Sequence, residues 1–273
     1  MRRNRTIVQA LIGATIVAGS MAVFSSVAQA TPVACGENAL VAAINTANTS
    51  PGPDTLNLAS GCTYNMTSAH GGPANALPVI TSRIELIGPA VITRSSLLLF
   101  RIAEVSSAGD LTLTTAVAFT NGSVVGDGGA ILNHGAVTLT VSSLVGNLAT
   151  GNGGGLANIG TAPAATFSGS SVTTNTAILS GGGIYNGSGG TLTTSGLPML
   201  ISGNTAVVNG GGIAAISSTA TTLTNTTVTT NVAVLGGGVY RQGGTMNTIS
   251  SPISANTPNN CVGSSPAVPN CTG

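Results

Sequence analysis

The feature that most constrains this chain is an internal repeat of about 27 residues, running from near residue 118 to Asn256. An apolar residue, two small or polar residues and Asn recur as Leu144-Val-Gly-Asn147, Val172-Thr-Thr-Asn175, Ile201-Ser-Gly-Asn204, Val228-Thr-Thr-Asn231 and Ile253-Ser-Ala-Asn256. Asn121 is an earlier, weaker member, and successive Asn stand 26, 28, 29, 27 and 25 residues apart. A glycine element keeps step: Gly128-Gly129-Ala130-Ile131, Gly153-Gly154-Gly155-Leu156, Gly181-Gly182-Gly183-Ile184, Gly210-Gly211-Gly212-Ile213 and Gly236-Gly237-Gly238-Val239. Between them lies strict alternation in Thr112-Leu113-Thr114, Thr138-Leu139-Thr140, Thr166-Phe167-Ser168, Thr191-Leu192-Thr193 and Thr222-Leu223-Thr224. A period of two means strands with an apolar face and a hydroxyl face.

One such coil has no partner for its apolar face. Stacked coils do, because each backbone pairs with the coils above and below at ~4.8 Å while Ile, Leu and Val fill the interior. The predicted fold is therefore all-β, a right-handed parallel β-helix or solenoid. Asn121, Asn147, Asn175, Asn204, Asn231 and Asn256 are expected to form a ladder of side-chain amide hydrogen bonds along it. Glycine triplets suit turns that need positive φ or close backbone approach, and the variation in coil length is expected in turns. Helical solenoids need helix formers, whereas Gly, Thr, Ser, Val and Asn dominate here. A disordered coat would lack the regular aliphatic positions and the mean hydropathy of +0.45.

These motifs resemble the repeats of the chlamydial polymorphic outer-membrane proteins, a Gly-Gly-Ala-aliphatic tetrad matched at residues 128–131 and a Phe-x-x-Asn tetrad matched with Leu, Val or Ile for Phe. More broadly, the chain resembles secreted right-handed β-helix proteins of the pectin-lyase-like superfamily. The likeness covers about residues 118–256 and implies a fold rather than an activity. The chain ends at Cys271-Thr272-Gly273 without the terminal membrane barrel of the chlamydial family, so barrel anchoring is not implied.

The two ends differ in composition from the repeats. Residues 1–30 read as a secretory signal peptide: Arg2, Arg3 and Arg5, an apolar run over residues 7–24, and Ala28-Gln29-Ala30 as a cleavage site. An uncleaved anchor is the rival reading of that run. Secretion or display at the cell surface is expected, with no transmembrane segment once the signal is removed. The β-helix is expected over residues 31–256, including an N-terminal helical cap over about 31–54, in which Leu40, Ala43, Ile44 and Ala47 fall at helical spacing. Residues 55–58, 83–87, 90–93 and 97–102 read as strands of less regular coils, and residues 257–273 as the opposite cap. Cys35, Cys62, Cys261 and Cys271 lie in pairs at the two ends, which favours Cys35 with Cys62 and Cys261 with Cys271 and leaves the other two connectivities open.

Charged residues make up only 5% of the chain and there is no Lys. Without residues 1–30 the net charge is −2, which leaves no basic patch for phosphates and argues against nucleic acid. The acids are Glu37, Asp54, Glu85, Glu104, Asp110 and Asp127, none beyond residue 127. A carboxylate pair, as glycoside cleavage requires, is therefore possible only on the early coils. The candidates are Glu104, Asp110 and Asp127, with Arg101 and His134; the simpler reading makes Asp110 and Asp127 turn residues beside glycines. His70 reads as a loop histidine, and Tyr185 and Tyr240 as wall residues or sugar platforms. No cofactor or metal site is expected. The leading expectation is an exported, non-enzymatic scaffold for adhesion or contact with polysaccharide or cell-surface glycan. The alternatives are a polysaccharide lyase or glycoside hydrolase, and an ice- or surface-binding protein using the Thr rows as a hydroxyl array.

Overall fold

A computed structural model describes residues 30–50 and 52–273, so the signal-peptide expectation falls almost wholly outside the described residues. The chain winds as a parallel β-helix of about eight turns, and every strand pair within its four sheets is parallel. In one full coil, Ile131–Asn133 joins the six-stranded sheet, Ala136–Thr140 the nine-stranded, Ser143–Val145 the eight-stranded and Leu148–Ala149 the four-stranded. A glycine turn then leads to Leu156–Asn158, stacked on Ile131–Asn133.

Alternation decides which residues face inward. In the nine-stranded sheet Leu113, Leu139, Phe167 and Leu223 are fully buried, while Thr112, Thr138, Thr166 and Thr222 point outward. The inner columns of the other sheets are Ile131, Leu156, Ile184, Ile213 and Val239, and Phe119, Leu144, Val172, Ile201 and Val228. These columns run on from coil to coil as one continuous, mainly aliphatic core, interrupted by the buried Thr194 beside Phe167 and Thr221 beside Leu192. Differences in coil length fall in turns, at residues 159–163 and 195–198, and leave the sheet registers intact.

The Asn element forms the expected ladder. Asn147 Nδ2 donates to Asn175 Oδ1 (2.9 Å), Asn175 to Asn204 (3.0 Å), Asn204 to Asn231 (2.9 Å) and Asn231 to Asn256 (3.0 Å). Each acceptor oxygen also takes the backbone N–H of the preceding Asn. Asn121 is a correction: it is exposed, holds φ +57°, and donates to Thr93 Oγ1 instead. The register Thr120 to Val145 puts Gly122, not Asn121, opposite Asn147, and the Gly122 N–H donates to Asn147 Oδ1 (2.8 Å). A second buried ladder runs from Asn133 to Asn158 (2.7 Å) to Asn186 (2.8 Å), ending on Thr221 Oγ1.

Both ends are closed. Helix α1, Glu37–Thr49, buries Leu40, Ile44 and Ala47 against the first coil, while Ala43 is only part-buried; the region begins with a strand, Thr31–Val33, that extends the nine-stranded sheet. Cys35 bonds Cys62 (Cα–Cα 5.7 Å), and Cys261 bonds Cys271 (6.4 Å). Tyr64, fully buried, donates to the Val33 carbonyl and accepts the Ala59 N–H, both at 3.0 Å. At the other end the tail first continues the coil path, through Val232 with Thr257 and Gln242 with Ser265, and then buries Val268 over the open core. Residues 97–102 are not one strand. Leu97, Leu98 and Leu99 stand out in solvent on a loop that the Arg94 guanidinium braces through the Ser96 and Leu98 carbonyls.

Glu37 ties the cap down. Its carboxylate accepts the Thr67 N–H (3.0 Å) and hydroxyl (2.6 Å), the Ser68 N–H (3.1 Å), and a bond from His70 Nε2 (2.8 Å). Burial alone would raise its pKa, but the bonds from Thr67, His70 and Ser68 prevail and hold it down at about 2. A carboxyl with a folded pKa below its unfolded value of 4.5 stabilises fully above pH 4.5 and loses that contribution as pH falls towards 2. Protease resistance of α1 is therefore expected to drop over this window, by about 1–2 kcal/mol of local stability. Glu37→Gln should flatten that dependence; parallel acid curves for the two proteins would show that the contact contributes nothing.

Candidate functional site

The structure separates the three acids singled out from sequence. Arg101 is 6% exposed and gathers the first cluster: Nη1 donates to Asn75 Oδ1 (2.5 Å) and to Glu104 Oε2 (3.3 Å), and Nη2 donates to the Asp127 carbonyl (3.1 Å). Asn75 Nδ2 donates to the same Glu104 oxygen (2.9 Å). Burial lowers the Arg101 pKa, and the nearby charges of Glu104 and Asp127 oppose that fall. The Asp127 carboxylate points to the next coil, where it accepts the N–H (2.6 Å) and side-chain amide (3.1 Å) of Asn152. It is a turn residue between Gly126 and Gly128, doing for its turn what Asn152 Oδ1 does for the Ser180 N–H above. Asp110 is elsewhere, at the start of Asp110–Thr114 on the nine-stranded sheet, in a solvent-exposed pair with Arg83 (3.5 Å).

Glu104 shares a cleft with His134 instead. Together with Ser106, Ser107, Gly160 and Thr161 they line a shallow cleft of about 330 Å³ at the corner between the six- and nine-stranded sheets. His134 Nδ1 lies 2.7 Å from the Ile159 carbonyl, an acceptor, so Nδ1 carries the hydrogen and Nε2 is the nitrogen left to act on a ligand.

A pair of carboxylates that does share a cleft is Asp54 and Glu85, which sequence reasoning did not combine. With Pro53, Thr55, Arg83 and Thr112 they line another cleft of about 330 Å³ on the nine-stranded sheet, where Thr55, Glu85 and Thr112 stack in register. Each carboxylate already has a partner, the Ser50 hydroxyl on Asp54 (2.5 Å) and the Thr114 hydroxyl on Glu85 (3.2 Å). The sequence signal was present, since both acids open or occupy short alternating strands, Asp54–Leu58 and Arg83–Ile87.

Tyr185 and Tyr240 lie on the outer face of the six-stranded sheet in one column with Ala157 and Ala214, Ala214 standing between them. Both rings are part-exposed, and neither hydroxyl bonds another described residue. Burial raises the Tyr185 pKa and the Asp127 charge adds to that rise, so the group is a neutral donor at physiological pH. Across two coils the tyrosines are ~9.6 Å apart. Among the described residues no group of three His, Cys, Asp or Glu is placed to hold a metal ion, and no helix is long and apolar enough to cross a membrane.

Fold and surfaces together define a disulfide-capped parallel β-solenoid with one short N-terminal helix and a nearly uncharged exterior. No family model, curated protein or solved structure matches the chain.

Proposed function

We propose that this is an exported, non-catalytic β-helix of the pectin-lyase-like kind that serves as a rigid adhesion platform for neutral surface glycans. The observation that carries this is the Tyr185 and Tyr240 column: two part-exposed rings whose hydroxyls bond no described residue, two coils apart on a parallel sheet. Aromatic faces with a polar tip suit the apolar faces and hydroxyl edges of sugars, and a rigid scaffold holds them with little entropy to lose on binding. The apolar run of residues 7–24, the two disulfides and the chlamydial-type repeats support export. The Arg101 cluster is read as an internal brace, since its polar atoms are spent on Asn75, Glu104 and the Asp127 carbonyl.

The test is co-sedimentation with insoluble neutral polysaccharides and cell walls, with release of soluble sugar monitored in the same tubes. Retention without product is expected. Tyr185→Ala and Tyr240→Ala should each weaken it about tenfold, on the order of 1.4 kcal/mol. Retention unchanged in both variants would sink this reading. The Asp54 and Glu85 cleft favours a second one, a glycoside hydrolase or lyase, which predicts released product that disappears in Glu85→Gln.

A further inference from the structure

The outer face of the nine-stranded sheet carries a lattice of hydroxyls. Register places Thr112, Thr138, Thr166, Thr193 and Thr222 side by side over five consecutive coils. Sequence alignment alone pairs Thr191 with Thr166; in the structure Thr191 lies opposite Ala164, and Thr193 takes the column position. A second column, two residues further along, holds Thr114, Thr140, Ser168, Ser195 and Thr224; Thr194, one residue earlier, faces inward opposite Phe167 and bonds Thr226 Oγ1 (2.6 Å). Repeats are ~4.8 Å between coils and ~6.7 Å along a strand. Thr114 bonds Glu85 and Ser168 accepts the Leu197 N–H, each at 3.2 Å; the other eight hydroxyls bond no described residue. On the other side the bordering column runs Asp110, Ala136, Ala164, Thr191 and Ala220, small from Ala136 onward. From Thr138 to Thr224 these strands contain no ionisable side chain.

General preference puts Thr on exposed strands, but it does not put Thr in register over five coils or leave the hydroxyls unpartnered. From Thr138 onward such a surface is neutral, and it repeats in two dimensions. A glycan or peptide chain repeats in one; a crystal face repeats in two. Water is the neutral lattice whose every member both donates and accepts, as a threonine hydroxyl does, while the methyl groups favour release of liquid water from between the columns. We propose that this face binds ice, with the Thr columns as its contact lattice. The proposal is independent of the tyrosine column, which lies on another sheet.

The test uses the purified protein, reading thermal hysteresis and partition into slowly growing ice. Measurable hysteresis and uptake into ice are expected. Thr166→Tyr, at the centre of the array, should remove at least four-fifths of both while circular dichroism and melting stay unchanged, because the side chain points outward. Thr138→Tyr is the second variant if the first fails to fold, and Tyr185→Ala should leave ice uptake intact. Exclusion of the folded wild-type protein from ice would overturn the proposal, as would full activity in a folded Thr166→Tyr or Thr138→Tyr. So would binding of this same face to crystalline cellulose or chitin with no effect on ice.

Discussion

Asn204→Ala is expected to destabilise the protein by about 4–6 kcal/mol, enough to bring a domain of ordinary stability close to unfolding. Asn204 is fully buried, and its side chain completes four hydrogen bonds. Its Oδ1 accepts from the Asn175 N–H (2.9 Å) and Nδ2 (3.0 Å), and its Nδ2 donates to the Val172 carbonyl and Asn231 Oδ1, both at 2.9 Å. Alanine removes all four at once: both Asn175 donors lose this acceptor, and the Val172 carbonyl and Asn231 Oδ1 each lose a donor, all within the buried column; each buried group so weakened costs about 1–3 kcal/mol. Asn204→Asp should do no better, because it keeps the acceptor but points a carboxyl at two oxygens and loses both donors. Asn121→Ala is the control: the residue is exposed and off the ladder, and its loss should stay within about 1 kcal/mol. Urea midpoints decide the matter. A small effect at Asn204 would mean that the amide column follows the stack rather than holding it.

The difference between those two asparagines also shows what sequence can and cannot convey. Period-two alternation and a recurring glycine element reveal a stacked solenoid because every coil obeys the same packing rule, so five copies reinforce one another. Asn121 fits the local motif as well as Asn147 does; only the strand register, which depends on contacts between coils, shifts it by one position and puts Gly122 on the ladder. The second ladder at Asn133, Asn158 and Asn186 had a signal, an Asn two residues after the aliphatic that follows the glycines. It fades because Ala215 replaces it in the next coil. The sites were less legible still. Asp54 and Glu85 are brought together across the irregular stretch at residues 67–82, which breaks the period. Asp110 sits beside Arg83 rather than Asp127 because register, not sequence distance, sets its neighbours.

Gly182→Ala tests the other half of the repeat, and its expected effect is about 3–5 kcal/mol or failure to fold. The middle glycine of the triplet needs no unusual φ. Its requirement is space: an added Cβ would lie 2.5 Å from both the Gly211 oxygen and the Thr205 carbonyl carbon, which are backbone atoms of the next coil. Neither can yield locally, since the Gly182 N–H donates to the Gly210 carbonyl (3.1 Å) and the Gly183 N–H to that of Gly211 (3.0 Å), so relief means parting the coils. Gly243→Ala provides the contrast. That glycine has φ +80° with open space around it, so alanine there meets only the backbone penalty of about 1–2 kcal/mol. If Gly182→Ala proves as mild as Gly243→Ala, the coils are looser at this corner than their hydrogen bonds require. If it is severe, the glycine column governs the axial spacing that the outer threonine columns inherit. A folded remnant of the variant should then lose the regular face along with the stability.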